Sequence, residues 1–153
     1  MRRQKFILLI PLLLPLVTSG DARINRPQSL LAQGDRLAML YIWPRAAPLY
    51  SQAESLFRQS GDQKNAIAAR LGYIWATADW GVHRATKREV DAYLVDPLVS
   101  ADSRLRLRAL VAKAVLDRDE NEQAARGPWK QILELATALG DRRWEGQIGR
   151  AHV

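Results

Sequence analysis

Asp117-x-Asp119-x-Asn121 places three oxygen-bearing side chains at alternate positions, which is how a calcium-binding loop begins. Such a loop then needs a glycine for its turn and a bidentate glutamate at its twelfth place, and here those places hold Glu122 and Pro128. The stretch therefore reads as a solvated acidic turn. Other chemistry fails in the same way. There is no Gly-x-Ser-x-Gly, no glycine-rich phosphate loop and no His-Glu-x-x-His, and the two histidines, His83 and His152, lie far apart with no metal-ligand spacing. The absence of cysteine excludes disulfides, thiol catalysis and thiolate metal sites together. Arg104, Arg106 and Arg108 alternate with Leu105 and Leu107, as an anion-binding strand would. The apolar period that follows Asp102 favours a helix instead, on which Arg104 and Arg108 share one solvated face. No enzyme activity, cofactor or metal is expected.

The elements that carry these residues are helical. A chain of 153 residues rich in alanine, leucine and arginine has room for one all-α domain. Its first twenty residues stand apart from that domain: Arg2, Arg3 and Lys5 precede an apolar run from Phe6 to Val17, interrupted by Pro11 and Pro15 and followed by the small residues Ser19, Gly20 and Ala22. This is the pattern of a signal peptide, and the run is shorter than the roughly 20 residues a membrane span requires. Residues 1–20 are thus expected to direct export to the periplasm or beyond, with anchorage in the membrane as the alternative, and residues 21–27 to form a linker. The net charge of +7 is modest once the leader's three bases are set aside. Acids and bases alternate along most segments, so a nucleic-acid partner is not expected.

Proline and glycine divide the remainder into segments of helical length. A first helix is expected from Gln28 to about Leu40, and a second from Trp43-Pro44 to Ser60 with Ala46, Tyr50, Ala53 and Phe57 on one face. Gly61 suits the left-handed end of that helix, and Asp62 the cap of the next, whose stripe is Ile67, Leu71, Ile74, Trp75 and Ala78. Thr86 and Glu89 have capping-box spacing ahead of Val90, Tyr93 and Leu94, and that helix must stop before Pro97. Beyond Asp102, Leu107, Val111, Ala114 and Val115 repeat the earlier stripe. Pro128 is expected to open a helix with Trp129, Ile132, Leu133, Ala136 and Leu139, ending at Gly140-Asp141. Two helices in about forty residues, repeated, mark a stacked helical array.

The residues at these places resemble the tetratricopeptide repeat. Ala46-x3-Tyr50-x2-Ala53 matches its second-helix pattern, with Trp43 at the aromatic that opens that helix, and Leu71-Gly72-x2-Trp75 matches its first-helix pattern. Leu30, Gly34 and Leu37 fit the same frame, while only Val111, Ala112 and Val115 keep it in a third unit. Gly34, Gly72 and Ala112 recur at intervals longer than the usual period of about 34 residues, so the repeat is divergent. The resemblance covers residues 28–153 and implies about three stacked antiparallel pairs plus one unpaired helix, the N-terminal part of a longer array. It also implies a groove lined by the first helices of each unit. Carried over by position, that groove exposes Arg70 and Tyr73, then Arg106 and Lys113, a set suited to an acidic segment or a C-terminal carboxylate. The family's carboxylate clamp itself is not matched, since Asp35 and Ala69 stand at two of its places. The expected function is non-catalytic binding of a protein or peptide by an exported scaffold. The alternative is the docking portion of a larger signalling or proteolytic enzyme.

Overall fold

The computed structural model describes residues 20–80, 84–120 and 122–151. Residues 1–19 of the leader expected over residues 1–20, together with His83, Asn121 and His152, lie outside the described residues. Every element within them is helical: α1 (Gly20–Met39), α2 (Trp43–Gln59), α3 (Gln63–Thr77) with a 3-10 turn at Ala78–Trp80, α4 (Arg84–Leu94), α5 (Pro97–Ser100), α6 (Ser103–Glu120), α7 (Glu122–Leu139) and α8 (Arg142–Ala151). The chain is all-α.

Local chemistry accounts for most of the boundaries. Pro44 sits in the first turn of α2, where a missing N–H costs nothing. Asp62 accepts from the Asn65 N–H at 3.1 Å and Asp102 from the Arg104 and Leu105 N–H groups at 2.9 and 3.0 Å, so each satisfies donors at a helix start. Helices α1, α2 and α7 end alike. In each, the residue after the cap adopts a left-handed backbone, and two N–H groups reach back to carbonyls of the last turn: Tyr41 to Ala38 and Ile42 to Leu37, Gly61 to Arg58 and Asp62 to Phe57, Gly140 to Thr137 and Asp141 to Ala136. Two of these sites use glycine. The first uses Tyr41, at φ 59°, where a side chain crowds its own backbone.

Four boundaries differ from the sequence reading. Helix α1 starts at Gly20, so the stretch expected as a linker forms its first turns. Helix α4 starts at Arg84, which puts Thr86 inside it, and Glu89 turns away from the expected capping box to meet Arg70 on α3. A further short helix, α5, follows, capped by Asp96. Pro128 lies within α7, because Ala125 and Ile132 on either side of it are buried, and their packing outweighs one missing backbone bond. Asp117, expected in a solvated acidic turn, belongs to α6, is only 8 % exposed and pairs with Lys87 and Lys113 at 3.1 and 3.4 Å.

Helix α2 packs along both α1 and α3, α6 packs along α7 and reaches α3, α4 and α5, and α8 closes on α7. Helix α4 touches α3 only lightly and rests mainly on α6. Apolar side chains fill the spaces so defined. Leu71, Ile74, Val90, Val99 and Leu116 form a core among α3 to α6, and Leu107, Val111, Ile132 and Trp144 one among α6, α7 and α8. Phe57, with Ala53, Ala66 and Ala69, seals α2 against α3.

Tyr50 is the pivot between the first three helices. Its ring is fully buried, and a Cβ added at Gly72 would fall 2.5 Å from Tyr50 Cε1, one added at Gly34 2.8 Å from the same atom. Both glycines are therefore required by close approach, one from α1 and one from α3. Gly72→Ala should lower stability by about 1–3 kcal/mol in urea unfolding, with Gly34→Ala less severe, because a packed ring has no room to retreat. Gly146→Ala, on the exposed side of α8 with open space around it, should raise stability by up to about 1 kcal/mol.

Candidate functional site

Trp43 from α2, Trp75 from α3 and Trp144 from α8 form a column of rings. Successive centroids lie 5.0 Å apart at interplanar angles of 69° and 43°, and Tyr41 meets Trp43 edge-on at 5.6 Å. The Trp75–Trp144 pair separates two clefts, since both rings line each of them.

The first cleft, about 190 Å³, lies where α1, α3, α6 and α8 meet. Leu71, Trp75, Leu107, Val111 and Trp144 make its apolar wall, and Arg104, Arg108 and Arg143 bring positive charge to it. Arg108 is bound to Asp35 on α1, which also accepts from the Tyr50 hydroxyl at 2.8 Å. Burial, then the neighbouring Asp35 charge, pushes the Tyr50 hydroxyl far above the ordinary tyrosine range, so it remains a donor. Each Asp35 oxygen thus receives a donor, and the residue locks α1, α2 and α6 together. Arg104 and Arg143 are different. Both are exposed, and neither side chain pairs with a carboxylate among the described residues. Asp141, also in the wall, is occupied in capping α8.

The second cleft, about 200 Å³, opens at the end of the bundle where the α1–α2 turn, the 3-10 turn, α6, α7 and α8 converge. Trp43, Trp75, Trp80, Trp129 and Trp144 line it, and these are all five tryptophans of the chain. Tyr41 joins them. Trp80 and Tyr41 are 61 % and 59 % exposed, unusual for large rings unless something covers them. Asp79 and Arg118 at its rim pair with each other at 3.3 Å.

The four positions inferred from the family resemblance fall elsewhere. Arg70 grips Glu89 of α4 through two bonds of 2.7 Å and lies 5.6 Å from the Tyr73 ring centre, so Arg70 and Tyr73 are together. Lys113 pairs with Asp91 of α4 at 2.9 Å and with Asp117. Arg106 is exposed on α6 and lines neither cleft. Arg70 and Lys113 therefore tie α4 to α3 and α6, beside the core contact made by its buried Val90.

Sequence reasoning placed Arg104 and Arg108 on one face but gave Arg143 and Trp80 no role. No local signal links those residues: the clefts are assembled from segments a hundred residues apart, and only the stacking of the helices joins them. Comparison with protein-family models, curated proteins and solved structures finds no match to this chain.

The Arg70 hydrogen bonds hold the Glu89 carboxyl below its ordinary value, against the opposing effect of burial. A carboxyl depressed on folding stabilises fully above its unfolded value of about 4.3, and that contribution is lost as pH falls through the lower folded value. Glu89→Gln should therefore destabilise at neutral pH and flatten the acid limb of the stability profile below about pH 4.3, as read by thermal unfolding across pH 2–7.

Proposed function

We propose that this chain is a non-catalytic helical module of divergent tetratricopeptide type that binds an acidic segment of a protein partner in the cleft between α1, α3, α6 and α8. The observation behind this reading is the pair Arg104 and Arg143, cations above an apolar wall that make no ion pair among the described residues. Charge-assisted hydrogen bonds to a partner's carboxylates would be strong there, and Trp75, Leu107 and Val111 would take an apolar side chain beside them. The repeat reading draws support from Gly34 and Gly72, which meet one tyrosine ring from equivalent places on α1 and α3. It is also supported by the alternation of helices, since α1, α3, α6 and α8 face the cleft while α2 and α7 do not line it. The leader pattern of residues 1–20 supports a site of binding outside the cytoplasm, in the periplasm or beyond, with the membrane involved only if the leader is retained.

Fluorescently labelled acidic peptides carrying one apolar residue should bind the chain, with affinity that falls as salt rises. Arg104→Glu combined with Arg143→Glu should weaken that binding at least tenfold while leaving the melting temperature close to the parent's, because both side chains are exposed. Unchanged binding would remove the proposal. The second pair, Arg106→Glu with Lys113→Glu, locates the site: a loss confined to that pair moves it to the face of Arg70, Tyr73, Arg106 and Lys113.

A further inference from the structure

A third cleft, about 240 Å³, opens beside the first, and Arg104 and Arg108 line both. Helical geometry accounts for the sharing. At about 100° per residue, Leu107 and Val111 fall on one flank of the Arg104–Arg108 row and Leu105 on the other. Leu107 and Val111 accordingly line the first cleft and Leu105 the third, where Leu31 of α1 and Ala68 of α3 complete an apolar floor. The two arginines thus stand as a ridge between two apolar floors.

The α3 wall runs past both floors without a break. Lys64, Asn65 and Ala68 line the third cleft, and Leu71, Gly72 and Trp75 the first, which makes one stripe at helical spacing. From Lys64 to Trp75 the stripe rises about 16 Å along the helix. Taken singly, clefts of about 190 and 240 Å³ fall below the roughly 300 Å³ at which ligand sites begin, and joined they exceed it. The first and third clefts are therefore two chambers of one groove.

The charges of this groove select its occupant. Its carboxylates are all engaged: Asp35 by Tyr50 and Arg108, Asp102 by Lys64 and by N–H groups at the start of α6, and Asp141 by N–H groups at the start of α8. Arg104 on the ridge and Arg143 at the first floor make no ion pair among the described residues. An acid is therefore drawn to the ridge, where a charge-assisted hydrogen bond from Arg104 awaits it, and apolar side chains to the floor on either side. Alternate residues of an extended chain point the same way, and five residues with an acid in the middle and an apolar residue at each end span about 13 Å, within the length of the stripe.

Resting on the acidic-segment reading, we propose that the groove recognises an extended partner segment in which one acidic residue stands between two apolar ones, the acid on the Arg104 ridge and one apolar side chain on each floor. Labelled heptapeptides blocked at both ends test that order: Glu-Leu-Ser-Glu-Ser-Leu-Glu, and the two versions in which one leucine is serine. The two-leucine peptide should bind the full chain at least tenfold more tightly than either one-leucine peptide, because it buries a second large side chain. In spectra of the chain with isotope-labelled leucine methyls, it should shift Leu31 and Leu105 together with Leu71 and Leu107, whereas each one-leucine peptide should shift one of these pairs. The chain has no cysteine, so Lys64→Cys places a single thiol at the exposed rim of the third cleft. A phenylmaleimide adduct there should lower the two-leucine peptide to the affinity of the one-leucine peptides. The proposal is overturned if the second leucine adds no affinity, if Leu31 and Leu105 do not shift, or if the adduct leaves the gain intact. Any of these results, with one-leucine peptides still bound by the parent and lost by Arg104→Glu combined with Arg143→Glu, overturns the two-floored site and leaves the acidic-segment reading standing. Absence of binding by all three peptides removes both.

Discussion

The buried Tyr50 ring, clamped between Gly34 of α1 and Gly72 of α3 with its hydroxyl on Asp35, fixes the approach of the first three helices. Apolar burial draws helices together without direction, whereas this contact sets distance and register at once. The hydroxyl cannot enter that core unpaired. Asp35 receives it, and the excess charge on Asp35 is met by Arg108 from α6. One aromatic side chain thereby links α1, α2, α3 and α6, and the arginine cleft exists because those helices are held at that separation.

A second level of organisation follows from charge. Helix α4 is polar and short, touches α3 lightly, and is held by ion pairs on both sides: Arg70 with Glu89 from α3, Lys113 with Asp91 and Lys87 with Asp117 from α6. The Arg70 pair is two-pronged and partly buried, so both of its hydrogen bonds are charge-assisted and fix the side chain's orientation. Arg70, Lys87 and Lys113 are thus used internally, while Arg104 and Arg143 at the first cleft make no ion pair among the described residues.

The Trp75–Trp144 pair stands between two clefts of different chemistry. On one side arginines stand above an apolar wall; on the other, rings dominate and charge cancels.

Helix positions and their punctuation were legible in the chain itself. Gly61, Asp62, Asp102 and Gly140 act within a few residues of themselves, through backbone geometry and capping bonds that any environment would permit. The stripes of α2, α3 and α6 were equally plain, because a helical period is a local property. Less was legible where packing competes with local preference. Pro128 stays inside α7, Thr86 gives up its cap, and Tyr41 holds a backbone meant for glycine. What the chain could not show was assembly. Asp35 with Arg108, Arg104 with Arg143, and the five tryptophans meet only when distant helices stack. Local sequence determines which rods form and which face of each is apolar; the tertiary structure alone decides which charges are neutralised and which stay exposed, because ion pairing and ring contact depend on distances that only packing sets.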